Sequence, residues 1–144
     1  MFKKNIDDRL ELWAQHRAEL EKSPTPLNDV WNFWSSAPFV PYNRNIDPYN
    51  KNTWATPWEI IAENVYDDFT KSLMIAQTLK LTKKFNKSVI QIRILVDRTQ
   101  SRQYNIVCVD NSWAINYSDN GPVALENVPE SFYLENLIEV EVPR

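Results

Sequence analysis

The stretch from Trp54 to Leu81 constrains this chain most, because a helix start stands directly before a long run of helically spaced apolar residues. Thr56 suits the N-cap, Pro57 the first helical position, and Glu59 falls where a capping box needs it. Trp58, Ala62, Val65, Phe69, Leu73, Ala76 and Leu79 then recur in steps of three and four, which predicts one continuous buried stripe. The alternative is a break at Asn64, with Asp67 or Asp68 capping a second helix that runs to Phe85. Either arrangement needs an apolar surface to pack on, and the residues that follow supply one.

From Val89 the period changes to two. Ile90, Ile92, Ile94 and Val96 face one way, with Gln91, Arg93 and Asp97 facing the other. Residues 98–102 turn the chain into a second strand, Gln103 to Val109, with Tyr104, Ile106 and Cys108 on one face. Asp110-Asn111-Ser112 fits a tight hairpin turn before a third strand from Trp113 to Tyr117. Asp119-Asn120-Gly121-Pro122 reads as another turn, and residues 127–134 as a crossing loop or one helical turn. Leu137 to Val142 closes as a strand with Ile138, Val140 and Val142 inward. Glu139 and Glu141 face outward, where they guard an edge.

Two more helices are expected upstream. Ile6 to Lys22 is amphipathic through Ile6, Leu10, Trp13 and Leu20, with the stem of Arg17 laid along the surface. Its His16 falls beside the apolar stripe and is expected to be solvated; no second His stands ready to share a metal. A short helix from Asn28 to Ser36 carries Val30, Trp31, Phe33 and Trp34. Residues 37–52 hold three prolines and four asparagines, an irregular loop anchored by Phe39, Val40, Tyr42, Ile46 and Tyr49. Two readings compete for those side chains: they pack over the central helix, or they form an exposed aromatic patch that docks on a protein. Helices followed by an antiparallel meander is the α+β pattern. The 144 residues support one domain, with a helical and aromatic-loop part (1–55) and a central helix plus sheet (56–144).

Composition removes several classes of function. A net charge of −3 advertises no nucleic-acid face, and Lys83, Lys84 and Lys87 are explained by a helix C-terminus. A single Gly excludes both common Gly-rich phosphate loops, and with them most nucleotide-dependent enzymes. A single Cys excludes an internal disulfide. No apolar run is long enough for a membrane span, and the first residues lack the apolar core of a signal peptide, so the expected placement is cytoplasmic.

Trp54, Thr56-Pro57-Trp58-Glu59 and Asp67-Asp68-Phe69 resemble the nucleophile-bearing segment of transglutaminase-like cysteine proteinases, a branch of the papain superfamily. The family pattern has a Trp, then Thr-Pro-x-Glu, then Gly-Asp-Cys-Glu-Asp-Phe opening a long helix; here Tyr66 takes the place of the Cys. The resemblance implies a helix-on-sheet fold, a histidine on one strand and an orienting Asp or Asn on the next. Those positions fall on Tyr104 and Asn116, so nucleophile and base are both absent. Cys108, amid a strand, is expected to act as a small hydrophobe. The calcium site that the resemblance implies is half present, at Asp67, so no metal or cofactor is expected. Asp67 and Asp68 read either as helix-start acids or as a glycosidase-like carboxylate pair.

The expected function is therefore a catalytically silent transglutaminase-like domain that binds a protein partner. Tyr66 and Tyr104 would fill the former cleft, and Trp31, Trp34, Phe39, Tyr42 and Tyr49 would make the contact. The alternatives are a structural subunit of a larger particle and a hydrolase relying on Asp67, Asp68 or Glu63. The short, Gly-poor, Trp-rich chain also has the look of a bacteriophage product, which would place it in a host cytoplasm or a virion. Oligomeric state is not legible.

Overall fold

A computed structural model describes residues 1–143. Helices α1 (Ile6–Lys22), α2 (Pro26–Trp34), α3 (Pro57–Glu63) and α4 (Asp68–Lys80) come first. Strands β1 (Ile90–Asp97), β2 (Arg102–Val109), β3 (Trp113–Ser118), β4 (Gly121–Ala124) and β5 (Tyr133–Glu139) follow. The strands form one antiparallel sheet in the order β4-β3-β2-β1-β5. The class is α+β.

The central segment is two helices. The capping box of α3 forms in both directions, with Glu59 N donating to Thr56 Oγ1 (3.2 Å) and Thr56 N to Glu59 Oε1 (3.0 Å). Asn64 ends α3 in the left-handed region (φ 59°, ψ 42°), which asparagine tolerates better than most residues. The Arg9 guanidinium donates to the carbonyls of Ile61 and Ala62, each at 3.1 Å, and so satisfies two acceptors that a helix end leaves open. The break resets the helical phase, which corrects the continuous stripe. Trp58 and Ala62 are exposed, and Pro57, Ile60 and Ile61 are buried in their stead. The second helix stops at Lys80, short of Phe85.

Helix α4 is buried along nearly its whole length, between α2 on one side and β1 and β2 on the other. Its Thr78 hydroxyl accepts two indole N–H groups, from Trp13 of α1 at 3.0 Å and Trp34 of α2 at 3.2 Å. Both indoles are fully buried, so each donor needs that acceptor. On the sheet, Ile90, Ile92, Ile94, Val107, Val109 and Ile115 face the helices. Leu95, Ile106, Cys108 and Ala114 face the other way and are covered by Val128 and the residues around it.

The β2–β3 turn has the positive φ at both central residues, Asp110 (51°) and Asn111 (54°), that a type I′ hairpin requires. The expected turn at residues 119–122 contains the start of a strand, β4, which is short and carries Gly121 and Pro122. Both residues weaken a strand pattern, and Pro is tolerated because β4 lies at the sheet edge. Gly121 has φ 116°, where a side chain is strained. The last strand also starts earlier than its pattern suggested, at Tyr133, and Val142 lies exposed beyond its end. Strand β5 is the opposite edge, with Glu135 and Glu139 exposed along it and Glu141 exposed beyond its end. No helix among the described residues is long and apolar enough to cross a membrane.

His16 corrects the solvated expectation. It is 7% exposed and stacks on Phe33 of α2, with ring centroids 3.9 Å apart and planes 10° from parallel. The stripe of α1 is wider than its aliphatic residues alone indicate, because α2 reaches round to cover it. Burial pushes the imidazole pKa down to about 4, partly offset by Asp29.

Two measurements probe this packing. Thr78→Val leaves two buried indole donors without an acceptor and is expected to destabilise by on the order of 3 kcal/mol in urea unfolding. Thr78→Ser keeps the hydroxyl and should lose much less. For His16, the unfolded imidazole protonates near pH 6.5 and the folded one only near 4. Its contribution is therefore intact above pH 6.5 and is lost as pH falls toward 4, reaching on the order of 2–3 kcal/mol. Unfolding at pH 7 and pH 4.5 should show a smaller acid loss for His16→Phe than for the native protein; an equal loss would place the acid sensitivity elsewhere.

Candidate functional site

The start of α4 opens into a cleft of about 620 Å³. Three parts of the chain build it: the loop from Phe39 to Tyr49, the first turn of α4, and the adjoining ends of β2 and β3.

Asp67 and Asp68 are neighbours with separate roles. Asp67 is the N-cap of α4; its Oδ1 accepts from Thr70 N (2.7 Å) and its Oδ2 from Asn43 N (3.1 Å). It is buried, and it ties the aromatic loop to the helix start. Asp68 points toward the sheet. Its Oδ2 accepts from Asn105 Nδ2 of β2 (2.8 Å), and its Oδ1 from Asn116 Nδ2 of β3 (3.2 Å). Asn116 Nδ2 also lies 2.7 Å from Ser72 Oγ and 3.1 Å from the Asn105 carbonyl, to which the Ser72 hydroxyl donates. Lys71 Nζ stands 3.9 Å from Asp68, outside hydrogen-bond distance.

Asn116 reaches this cluster because β3 leaves its ladder there. Pairing with β2 ends at Ile115, register with β4 shifts between Ala114 and Ser118, and Asn116 takes φ 70°. A bulge of this kind re-aims a side chain.

The anticipated site residues divide. Asn116 lies in the cleft against α4, and Tyr104 on the cleft wall within the outer aromatic cluster, beside Tyr117 and Phe132. Tyr66 is elsewhere: its ring is buried among Phe2 and Trp34 in the helix-side core. Tyr66 and Tyr104 therefore do not fill one cleft together. Side chains alternate along β2, so the residue that faces α4 is Asn105, one position on from Tyr104. Burial raises the Tyr66 phenol pKa. It also pushes the Cys108 thiol up to about 11, and Cys108 packs as a small hydrophobe on the outer face.

Asn105 and Ser72 were missed by pattern reading. The available signal was an amide on the same face of β2 as Val107 and Val109, opposite a hydroxyl one turn into α4.

The anchors of the loop divide between buried and exposed residues. Ile46 and Asn43 are buried, and Asp47 accepts through its carbonyl from Trp54 Nε1 (2.8 Å) and through Oδ1 from Tyr49 N (2.9 Å). Trp54 in turn packs on Phe69 at 5.5 Å. Phe39, Tyr42 and Tyr49 project outward at 70%, 69% and 55% exposure and line the cleft. Trp31 and Trp34 are not part of that surface; both are buried beneath it in the core, which corrects their assignment to a contact face. Glu63 lies outside the cleft, holding Asn45 Nδ2 at 2.8 Å. No group of three or more His, Cys, Asp or Glu among the described residues is arranged to hold a metal ion.

Chemically, the floor offers one carboxylate braced by two amides. Asp67 is buried and engaged by backbone N–H groups at both oxygens, which gives it a structural task at the helix start. Asp67→Ala removes a cap and the loop clamp together and should destabilise by on the order of 2 kcal/mol in urea unfolding. Asp68→Asn keeps an acceptor in place and should cost less than half of that; the reverse order would contradict the division of roles.

Comparison with protein-family models, with curated proteins and with solved structures gives no match to this chain.

Proposed function

We propose that this chain is a catalytically silent, transglutaminase-like domain whose cleft binds a protein partner. The observation that carries the reading is the contrast between the floor and the rim of the cleft. On the floor, Asp68, Asn105, Asn116 and Ser72 are hydrogen-bonded mainly to one another, an arrangement that holds a shape and offers no activated nucleophile. On the rim, Phe39, Tyr42 and Tyr49 expose their rings, and exposed aromatic clusters beside a cleft are typical of protein contact surfaces.

The family part of the reading rests on layout. Asn116 faces the helix start at Asp67-Asp68-Phe69 as the resemblance's orienting group would, while Tyr66 and Tyr104, its nucleophile and base positions, lie outside that contact. The volume falls within the usual range for binding clefts, roughly 300–1,000 Å³. A second reading, as an assembly subunit, draws on the opposite edge, where Tyr133, Leu134 and Leu137 of β5 are exposed.

Affinity capture with the native protein and with Phe39→Ser/Tyr42→Ser tests the proposal, since both rings are exposed and their loss should leave the melting temperature unchanged. The expected result is a defined polypeptide retained by the native protein and reduced at least about tenfold with the variant. Equal retention by both, or a hydrolytic activity abolished by Asp68→Asn, would overturn it. Capture unaffected by the variant but lost when β5 residues are changed would favour assembly through the edge.

A further inference from the structure

We infer that the cleft recognises an arginine side chain of the bound polypeptide, its guanidinium placed between Asp68 and the open aromatic faces of Phe39, Tyr42 and Tyr49. This deepens the binding reading above and rests on it. The argument begins with what the floor lacks. Asn105 is 7% exposed and lines the cleft, yet among the described residues its amide oxygen has no donor. Leaving such a buried acceptor unmade is unfavourable. Beside it stands Asp68, whose oxygens each accept one amide hydrogen and retain capacity for another. The missing component is therefore a donor, and preferably a charged one.

The walls ask for the same thing. Four carboxylates line the cleft (Asp47, Asp67, Asp68 and Asp119) against two cations, Lys71 and Arg102. Lys71 Nζ lies 5.2 Å from the Trp31 centroid and 3.9 Å from Asp68 without hydrogen-bonding it, and the Arg102 guanidinium lies 4.5 Å from the Tyr104 centroid, so the carboxylates stay in excess. Tyr104 is further covered by Phe132, stacked at 5.4 Å and 12°. Phe39, Tyr42 and Tyr49 have no ring or cation against them among the described residues. The pKa of the Tyr49 hydroxyl is raised by burial and then by the Glu135 carboxylate. A negative ring face, a carboxylate and an unfilled amide acceptor together favour a cation.

Arginine suits this set better than lysine. Its planar fork matches the two oxygens of a carboxylate, has a further N–H for the amide oxygen, and stacks flat on aromatic rings. A saccharide would need donors from the floor as well, and the Nδ2 groups of Asn105 and Asn116 are already engaged.

The probe is an acetylated, amidated Gly-Arg-Gly peptide, titrated by NMR alongside its Gly-Lys-Gly and Gly-citrulline-Gly counterparts. Binding should shift the side-chain amide resonances of Asn105 and Asn116, weaken severalfold with lysine and fall at least about tenfold with citrulline, which keeps the shape and loses the charge. Asp68→Asn should lower arginine binding by a similar factor. Tyr42→Ala, which cannot disturb the core from its exposed position, should lower it independently of any folding defect. Equal binding of the citrulline peptide, saccharide binding in place of peptide, or native-level binding by both variants would overturn the inference. Should Phe39→Ser/Tyr42→Ser lose the captured partner while Asp68→Asn retains it, the binding reading stands and the arginine inference falls. Arginine binding with no partner captured gives the opposite outcome.

Discussion

The hydroxyl of Thr78 accepts hydrogen bonds from two tryptophans on two different helices, and the helical layer depends on that convergence. An indole brings a large apolar surface but also a donor that cannot be buried alone. By giving both donors one acceptor on α4, the fold fixes where α1 and α2 sit on the helix they cover. Helix α4 in turn presents Leu73, Ala76 and Leu79 within the same core as Ile90, Ile92 and Val107 of the sheet. The position of the cleft follows, because the start of α4 is held where β2 and β3 deliver Asn105 and Asn116.

The other end of that helix segment is set by local chemistry. Asn64 in a left-handed conformation, a residue bridging to Phe39 at Tyr66, and the Asp67 cap turn the chain sharply between α3 and α4. Asp67 then performs two tasks with one carboxylate, ending the exposure of the helix N–H groups and gripping the loop at Asn43. The loop could not be ordered by core contacts alone, since Ile46 is its one deeply buried aliphatic anchor. Side-chain bonds from Asn43, Asp47, Asn50 and Thr53 to nearby backbone supply the remainder.

Much of this was legible from residue order. The capping box, the general extent of α1 and α2, the alternation of β1 and β2 and the tight turn at residues 110–112 all rest on local signals that tertiary packing reinforced. What could not be read depends on contacts between distant parts. His16 looks solvated until α2 lays Phe33 across it. Trp31 and Trp34 look like candidates for a surface because nothing in α2 announces that α4 and β4 will cover both sides. Tyr104 and Asn105 differ by one place on β2, and only the register decides which of them meets α4. Strand β4 is four residues long with Gly121 and Pro122 in it, too short for its alternation to stand out. The bulge that turns Asn116 toward Asp68 has no sequence signature beyond asparagine's tolerance of positive φ.

The carboxylates along β5 also govern how this molecule treats copies of itself. An outer strand carries a row of backbone groups that could zip onto an identical row, and two such strands laid antiparallel would bring Glu135 and Glu139 of both into mutual repulsion. Lys51 further obstructs the row by donating to the Glu139 carbonyl at 3.3 Å. The outer strand thus keeps its open backbone groups while its own charges and one lysine deny them to a second copy.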